Sequence, residues 1–289
     1  MSLPADVAAL YPFESQYHSV GEVQMHYLDE GSGKPLLMVH GNPTWSFYFR
    51  NLVQEFRTRH RVVVPDHVGC GLSDKPQHYR YTLARHAANL ESLVLSLDLR
   101  DIDLLVHDWG GPIGLSVATR HPERFSRIII TNTAAFRSPH LPRLLWLARL
   151  PWLGEFLIRG FNAFVQATLV TATARPERFR GALRKGFLLP YNNWKNRIAT
   201  ARFVQDIPMD VSHPTWPDLV QLERGLPRLA SKPMLLLWGE KDWCFTTKMR
   251  DQFLDIFPHA HSVGLRSAHH LLFEDEPEAC LEAVREFLT

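Results

Sequence analysis

The sequence lacks an excess of charge of either sign: its 289 residues include 32 Lys and Arg against 30 Asp and Glu, a formal net charge of +2. A nucleic-acid-binding surface usually shows as a clear excess of basic residues, so the composition gives no support for one. Small, mostly neutral ligands are therefore expected. The hydrophobic share of 45% is that of an ordinary globular protein, which excludes the disordered and fibrous classes.

Cysteine is also scarce. Cys70, Cys244 and Cys280 are widely separated, form no metal-ligand pair and cannot all join disulfides within one chain. No uninterrupted apolar run reaches membrane-spanning length, and residues 1–13 lack the basic stretch and long apolar run of a secretory signal. We therefore expect a protein of a reducing compartment, the cytoplasm.

Short apolar runs alternate with helical segments along most of the chain. The apolar runs that predict strands are residues 23–29, 36–39, 61–64, 104–106, 128–130, 233–238 and 262–265. The segments 82–97, 112–119 and 248–257 between or after them show helical spacing. Buried parallel strands joined by crossover helices produce this pattern, which predicts an α/β protein.

The pattern changes between residues 137 and 213. No strand is evident there, while apolar residues recur at helical spacing between Pro and Gly breaks. We predict a helical cap at 137–213, inserted between two parts of an α/β core formed by residues 1–136 and 214–289. Expected loops at Ser138-Pro139 and His213-Pro214 set these bounds.

The most specific segment is Leu-Leu-Val-His-Asp-Trp-Gly-Gly at residues 104–111, where an apolar strand meets two glycines and then a helix. A nucleophile elbow has this layout, because the reactive residue sits on a strained turn that small neighbours allow the backbone to approach. Asp108 occupies the position at which esterases carry serine. The alternative is that Asp108 only caps the following helix.

A hydrolytic elbow also needs an orienting acid and a histidine base later in the chain. Asp242 follows the apolar strand at 233–238, where the carboxyl end of a strand meets a loop, and Glu240 is its nearby competitor. The loop after the strand at 128–130 contains no carboxylate, which favours Asp242. The base is His270 or the adjacent His269, and the distance to the acidic pair at 274–275 favours His270.

Hydrogen-bond donors are predicted beside the elbow. The motif His-Gly-Asn-Pro at residues 40–43 follows a strand, so its backbone N–H groups can line an oxyanion site. Asn42 adds a side-chain amide and Trp109 an indole N–H next to the nucleophile. Trp109 can equally fill the core, and for Trp45, Trp146 and Trp238 core filling is the interpretation that we adopt.

Three motifs together resemble the haloalkane dehalogenases over nearly the whole chain. They are the segment 40–46 (His-Gly-Asn-Pro-Thr-Trp-Ser), the segment from Pro65-Asp66 to Gly-Cys-Gly-Leu-Ser-Asp-Lys-Pro at 69–76, and His-Asp-Trp-Gly-Gly at 107–111. The acid after the later strand and the asparagine donor are similar to the third subfamily. That subfamily also holds the β-lactone decarboxylases of bacterial olefin biosynthesis, which the segments 203–208 and 241–245 resemble.

The resemblance implies an α/β-hydrolase fold with a mostly parallel eight-stranded sheet, flanking helices and a helical cap after the sixth strand. It implies Asp108 as nucleophile, Asp242 as orienting acid, His270 as base, and Asn42 with Trp109 as the halide-binding pair. The expected reaction is cleavage of a carbon–halogen bond through an alkyl ester on Asp108, which water activated by His270 hydrolyses to give an alcohol and a halide ion.

Other functions stay open on the sequence. β-Lactone decarboxylation uses the same residues, and neither reaction requires a metal or organic cofactor. An epoxide hydrolase would need a pair of cap tyrosines, and the cap contains only Tyr191. A non-catalytic binding module is possible in this fold when catalytic residues are lost, but here every candidate is present. Asp206, near the return of the cap to the core, is interpreted as structural.

The cap has its own composition. Residues 137–185 contain nine basic residues against only two acidic ones, interleaved with large apolar side chains. One interpretation is that the apolar side chains cover the elbow and the arginines form a solvated face. The other is a homo-oligomer or membrane-surface contact through the cap.

Overall fold

The computed structural model describes residues 3–137, 141–150 and 152–289. They form one eight-stranded sheet of order β1-β2-β4-β3-β5-β6-β7-β8. The strands are β1 (Gln16–Val20), β2 (Val23–Gly31), β3 (Lys34–Val39), β4 (His60–Pro65), β5 (Ile102–His107), β6 (Phe125–Thr131), β7 (Met234–Gly239) and β8 (His261–Leu265). β2 runs antiparallel to β1 and β4, and every other neighbouring pair is parallel.

Helices connect the strands. The α-helices of the described residues are α1 (Ala5–Ala8), α2 (Arg50–Phe56), α3 (Leu83–Ser96), α4 (Gly110–Arg120), α5 (Arg143–Arg149), α6 (Leu153–Phe161), α7 (Ala163–Thr171), α8 (Gly181–Leu188), α9 (Ile198–Gln205), α10 (Trp216–Gly225), α11 (Thr247–Ile256), α12 (Leu272–Asp275) and α13 (Pro277–Leu288). This architecture is the predicted α/β class.

The central strands of the sheet are buried on both faces. Successive side chains of a strand point to opposite sides, and here both sets of side chains are covered. Leu37 and Val39 of β3 belong to the core on one face, and Leu36 and Met38 belong to the core on the other. Every residue of β5 and β7 is buried. Two-sided burial explains why these strands read as continuous apolar runs, and it gives a rigid platform at their carboxyl ends.

Each of the seven predicted strands matches an observed one, from β2 to β8. The eighth, β1, has no fully buried residue and lies at the edge of the sheet, so its sequence carries no apolar run. The three cysteines are free. No helix among the described residues is long and apolar enough to cross a membrane.

The chain between β6 and β7 is helical, as predicted: the described residues there form α5 to α10 with short 3₁₀ turns and no strand. The helical cap after the sixth strand is therefore confirmed as part of the fold. Its bounds at 137 and 213 stay a prediction, since Ser138-Pro139 lies outside the described residues. His213-Pro214 precedes the start of α10 at Trp216.

The prediction that three tryptophans fill the core is confirmed for two of them. Trp45 and Trp238 are fully buried, as expected for core residues, but Trp146 is 51% exposed. The core assignment of Trp146 is wrong because α5 turns Leu145 inward, which leaves the neighbouring Trp146 on the outer side of a short helix.

Asp206 joins the cap to the core. Its carboxylate accepts a hydrogen bond from the backbone N–H of Leu83, at the start of α3, at 2.8 Å and another from the Thr215 hydroxyl at 2.5 Å. Burial raises the pKa of Asp206 to about 7, although these two donors favour the ionised form. The contacts fit the structural role that the sequence suggested.

Candidate active site

Asp108 lies on a sharp turn between β5 and α4. Its φ is +53°, in the left-handed region that L-residues with a side chain seldom adopt. Gly110 and Gly111 permit the turn, since a Cβ at either position would overlap the carbonyl oxygen of Val39 or the hydroxyl of Thr133. A strained, over-determined backbone of this kind is typical of a functional residue.

Helix capping does not account for Asp108. The N-cap residue of α4 is Trp109, so Asp108 lies one residue before it. One carboxylate oxygen of Asp108 accepts a 2.6 Å hydrogen bond from the backbone N–H of Asn42, in the loop after β3. The carboxylate is thus directed toward the neighbouring loop rather than restricted to its own helix.

The structure brings Asp108, His270 and Asp242 together. Nε2 of His270 lies 3.7 Å from a carboxylate oxygen of Asp108, and Nδ1 lies 2.8 Å from a carboxylate oxygen of Asp242. The three residues come from the ends of β5 and β7 and from the loop after β8, and all three are buried. The imidazole therefore bridges the two carboxylates.

The competing candidates lie elsewhere. The Glu240 carboxylate is 33% exposed and pairs with Arg250 at 3.1 Å. His269 packs beside α12, where its backbone N–H donates to Asp275 at 2.8 Å. Neither side chain has a hydrogen bond to Asp108 or Asp242 among the residues that the structure describes.

The backbone of His270 is also held. The Nε2–H of His107 donates to the His270 carbonyl oxygen at 2.9 Å, and the Tyr48 hydroxyl lies 3.4 Å from the same oxygen. His107 directly precedes the nucleophile candidate, so β5 supports both the carboxylate and the loop that carries the imidazole. Burial lowers the pKa of His107 well below its usual value, which keeps this ring neutral.

Asn132, in the loop after β6, is a residue that the sequence analysis missed. Its side-chain amide donates to the same Asp242 oxygen that accepts from His270, at 2.9 Å, and its Oδ1 accepts from the N–H of Gly239. Its main-chain carbonyl accepts from the N–H of Asp108 at 3.1 Å. Asn132 therefore links the acid and the nucleophile through one residue.

The two predicted donors lie beside Asp108. Asn42 and Trp109 both line the cavity above it. One hydrogen of the Asn42 amide already has an acceptor: Nδ2 donates to the carbonyl oxygen of Thr200 in α9 at 3.2 Å. The Trp109 indole packs against Phe203 with a centroid separation of 5.3 Å. A second Asn42 hydrogen and the indole N–H have no protein acceptor among the described residues.

Burial and neighbouring charges shift the pKa values of Asp108 and His270. Burial raises the pKa of Asp108 to about 6, although the charge of His270 and the backbone N–H groups of Trp109 and Asn42 favour the carboxylate. Burial alone would lower the pKa of His270, but the charge and hydrogen bond of Asp242 and the charge of Asp108 raise it above its ordinary value. Esterification of Asp108 would remove one of those charges and lower the pKa of His270, which favours the neutral imidazole that can accept a proton from water.

A cavity of about 170 Å³ lies above Asp108. Its wall is mostly apolar, and ten of its 23 lining residues come from the cap: Leu141, Pro142, Leu145, Phe164, Thr168, Ala172, Val204, Ile207, Pro208 and Met209. The polar groups Asn42, Asp108 and His270 lie together at its floor. The arrangement suits an apolar molecule whose reacting atoms reach the floor.

Comparison with known proteins places the chain in a family. Residues 34–277 match the family described as alpha/beta hydrolase fold. The chain therefore belongs to the α/β-hydrolase family, as the resemblance implied.

Two curated relatives are similar to this chain over most of its length. The chain is 40% identical over 286 residues to the cis-3-alkyl-4-alkyloxetan-2-one decarboxylase of Shewanella oneidensis, covering 97% of this chain and 90% of the relative. It is 33% identical to haloalkane dehalogenase 2 of Mycobacterium tuberculosis, with 96% of each chain covered. Relatives of both expected kinds are thus confirmed.

Solved structures support the fold. The crystal structure of haloalkane dehalogenase DbeA from Bradyrhizobium elkani matches with a TM-score of 0.87 at 23% identity, covering 96% of this chain and 97% of that one. A variant of dehalogenase DatA from Agrobacterium tumefaciens matches with a TM-score of 0.85 at 24% identity, covering 97% and 99%.

Proposed function

We propose that this protein is a β-lactone decarboxylase, which converts a cis-3-alkyl-4-alkyloxetan-2-one into an alkene and carbon dioxide. The observation that carries the proposal is a buried carboxylate, Asp108, at the floor of an apolar cavity in a chain that is 40% identical to such an enzyme. A small apolar substrate fits this site. The order of the two main candidates is therefore the reverse of the sequence-based expectation.

In the first step Asp108 attacks the ring carbon C4 of the lactone. A carboxylate displaces a leaving group at saturated carbon without a base to activate it. The C4–O bond breaks, its electron pair goes to the ring oxygen, and the substrate becomes an alkyl ester of Asp108 with a free carboxylate. The Asn42 amide and the Trp109 indole, which line the cavity, would donate to the departing carboxylate.

In the second step the C2–C3 bond breaks and carbon dioxide leaves. The electron pair of that bond forms the C3=C4 double bond, and the C4–O bond to Asp108 breaks to restore its carboxylate. No water is consumed. An apolar wall solvates a carboxylate poorly, so the cavity favours its loss as neutral carbon dioxide. Inversion at C4 followed by anti elimination gives the cis alkene.

The His270–Asp242 pair keeps Asp108 ionised in this scheme. A positive imidazole 3.7 Å from the carboxylate offsets the burial that otherwise raises the pKa of Asp108. The pair also stabilises the carboxylate of Asp108 as it is released from the ester. Asp242 holds the ring orientation through its 2.8 Å contact with Nδ1.

Haloalkane dehalogenation is the second candidate, and the same geometry favours it. The Asn42 and Trp109 donors would hold the departing halide, and His270 would activate a water molecule to attack the Asp108 ester. The backbone N–H of Asn42, already 2.6 Å from a carboxylate oxygen, would stabilise the tetrahedral oxyanion. The products are an alcohol and a halide ion.

Epoxide hydrolysis is weaker. The Tyr191 hydroxyl lies 3.3 Å from the carbonyl oxygen of Thr44 and is fully buried, and Tyr191 is not part of the cavity wall. Its position gives no acid for protonating an epoxide oxygen.

The cytoplasmic location inferred from the sequence stays a prediction.

The experiment compares two substrates of matched chain length, a cis-3,4-dialkyl oxetan-2-one and a primary bromoalkane. Alkene is measured by gas chromatography and bromide by ion chromatography, with wild type and Asp108→Asn run in parallel. We expect alkene release to have the higher kcat/KM and both activities to vanish in the variant.

A preference for the bromoalkane would reverse the two candidates. No turnover of either substrate would contradict both and favour a binding protein. Activity that survives in Asp108→Asn would contradict the nucleophile.

A further inference from the structure

Exposed apolar side chains are concentrated in the cap. Ten of the fourteen large apolar side chains that are exposed among the described residues lie between residues 144 and 194. Trp152 is 90% exposed and Phe161 is 63% exposed. We call Trp146, Trp152, Leu153, Phe156, Phe161 and Trp194 the cap patch.

Three members of the cap patch lie close together. The rings of Phe156 and Phe161 meet edge to face with centroids 5.4 Å apart. Both Phe156 and Trp194 lie 3.8 Å from the position that a Cβ on Gly160 would take. The backbone N–H of Gly154 donates to the carbonyl of Leu150 at 2.9 Å, which joins the end of α5 to the start of α6. Phe156, Phe161 and Trp194 therefore lie together, and the helices that carry the other members, α5 and α6, are joined end to start.

The segment that carries most of the cap patch is basic. Residues 137–185 carry nine basic and two acidic residues, a net charge of +7, whereas the rest of the chain carries 23 basic and 28 acidic residues, a net charge of −5. The acidic residue of α6, Glu155, is neutralised by Arg159 at 2.6 Å and by Arg202 at 3.1 Å. Two further basic residues of this segment pair with acidic residues outside it, Arg137 with Glu223 at 2.7 Å and Lys185 with Asp6 at 2.6 Å. When these two partners are counted with it, the segment keeps a net charge of about +5, which favours contact with an anionic surface.

A second copy of the chain fits this surface poorly. A two-fold contact would place the same basic segment on both sides and bring like charges together. Tryptophan and phenylalanine beside basic residues instead suit the interface of an anionic bilayer, where the rings lie at headgroup level.

The same helix reaches the cavity. Leu145 of α5 lines the cavity together with Leu141 and Pro142, while Trp146 on the next position belongs to the cap patch. An apolar molecule that leaves a lipid surface at α5 would therefore meet a helix that also lines the cavity.

We propose that the cap patch binds the surface of an anionic lipid bilayer and that α5 and α6 lie at its headgroup level. Apolar substrate dissolved in the bilayer then enters the cavity beside α5. Only the identity of that substrate rests on the proposed function. Binding is measured without substrate, so its outcome is separate from the outcome for the reaction.

The test is flotation of the purified full-length protein with phosphatidylcholine vesicles that contain no or about one third phosphatidylglycerol. The patch variant is Trp152→Ser/Phe161→Ser. The control is Tyr17→Ser/Leu95→Ser, which removes two exposed apolar side chains outside the cap. Circular dichroism and thermal unfolding check that both variants fold, and light scattering gives the oligomeric state.

We expect wild type and control to float with anionic vesicles and not with neutral ones, and binding to weaken at high salt because charge attraction is screened. The patch variant should bind at least about tenfold more weakly, because the apolar area that drives insertion is removed. Absence of flotation, equal binding to neutral vesicles, or equal loss in the control would overturn the proposal. So would a dimer that dissociates only in the patch variant.

Discussion

The floor of the active site and the cap above it differ in how firmly their side chains are fixed. At the floor, Asp242 is held by His270, Asn132 and the N–H of Cys244, each within 2.9 Å. In the cap, all but one of the side chains that form the cavity wall are apolar and are held by packing; the exception, Thr168, donates to the backbone of its own helix. Directional contacts fix a reaction geometry, whereas non-directional packing tolerates changes in shape. The chemistry is therefore expected to depend on the floor and the substrate range on the cap.

The largest effect should follow from Asp108→Asn, with turnover reduced at least about 10³-fold, because the amide keeps the shape and loses the nucleophilic charge. Burial has raised the pKa of Asp108 from 3.8 to about 6, and that rise corresponds to about 3 kcal/mol. The free energy of unfolding at pH 7 should therefore increase by about 1–3 kcal/mol in urea titrations.

Asp206→Asn is the matched control, since it removes another buried carboxylate that lies outside the floor. It should keep substantial turnover. Equal losses in the two variants would show that the floor is no more critical than the cap's return to the core.

His270→Ala should separate the two reactions. With a bromoalkane, an alkyl ester should accumulate on Asp108 and be detected by intact mass, because no base remains to activate water. With a lactone, alkene should still form, at a rate lowered by about 10- to 100-fold as ionisation of Asp108 loses its support.

His269→Ala is the control and should change either rate less than threefold, on the order of surface substitutions. If His269→Ala does the greater damage, the base is assigned to the wrong histidine.

Asp242→Asn and Asn132→Ala should each lower turnover by about 10- to 100-fold, because the orientation of His270 loses a directional contact. Both losses should appear in kcat rather than KM, since the cavity wall is unchanged. Glu240→Gln is the control, because its carboxylate pairs with Arg250 at the surface. Greater damage in Glu240→Gln would reassign the acid.

The dependence of kcat/KM on pH in the wild-type protein tests the charge of Asp108. Since burial raises the pKa of Asp108 to about 6, kcat/KM for the first step should fall about tenfold between pH 7 and pH 5 as the carboxylate is protonated. A carboxyl group with a raised pKa destabilises the folded protein above that pKa, so this contribution to stability improves as the pH falls from 7 towards 4. Asp108→Asn should lose that part of the pH dependence of stability. A free energy of unfolding that varies with pH in the same way in wild type and variant would contradict the assignment.

The smallest effects are expected in the cap. Leu145→Ala should change the preferred alkyl chain length and leave kcat for a short substrate within about threefold, because it enlarges the cavity and touches no charged group. Steady-state kinetics on substrates of increasing length measure this. Trp152→Ser, outside the cavity, is the control. A large fall in kcat with Leu145→Ala would show that the cap shares in the chemistry.

At the floor, the turn that carries Asp108 between a strand and a helix could be predicted because its signal is local. Asp108 stands between an apolar strand and two glycines, and both glycines are required by close contacts that the structure shows. The edge strand β1 left no such signal, because none of its residues is fully buried. Asn132 could not be found from the sequence either. It contacts Asp108 and Asp242, which are 24 and 110 positions away from it in the chain.

In the cap, the sequence predicted helices but not their faces. Trp146 and Leu145 are adjacent apolar residues, and only packing decides that Leu145 lines the cavity and Trp146 is exposed. A short helix offers too few turns for its periodicity to fix the buried side.

The most direct test of the central claim is turnover of a cis-3,4-dialkyl oxetan-2-one in water enriched in oxygen-18, followed by mass spectrometry of the peptide that contains Asp108. Attack by Asp108 and loss of carbon dioxide consume no water. We therefore predict a cis alkene, no β-hydroxy acid and an Asp108 peptide of unchanged mass after many turnovers, while a bromoalkane turned over in parallel should label the peptide. A β-hydroxy acid product with oxygen-18 in Asp108 would contradict the account and show that the site hydrolyses its lactone.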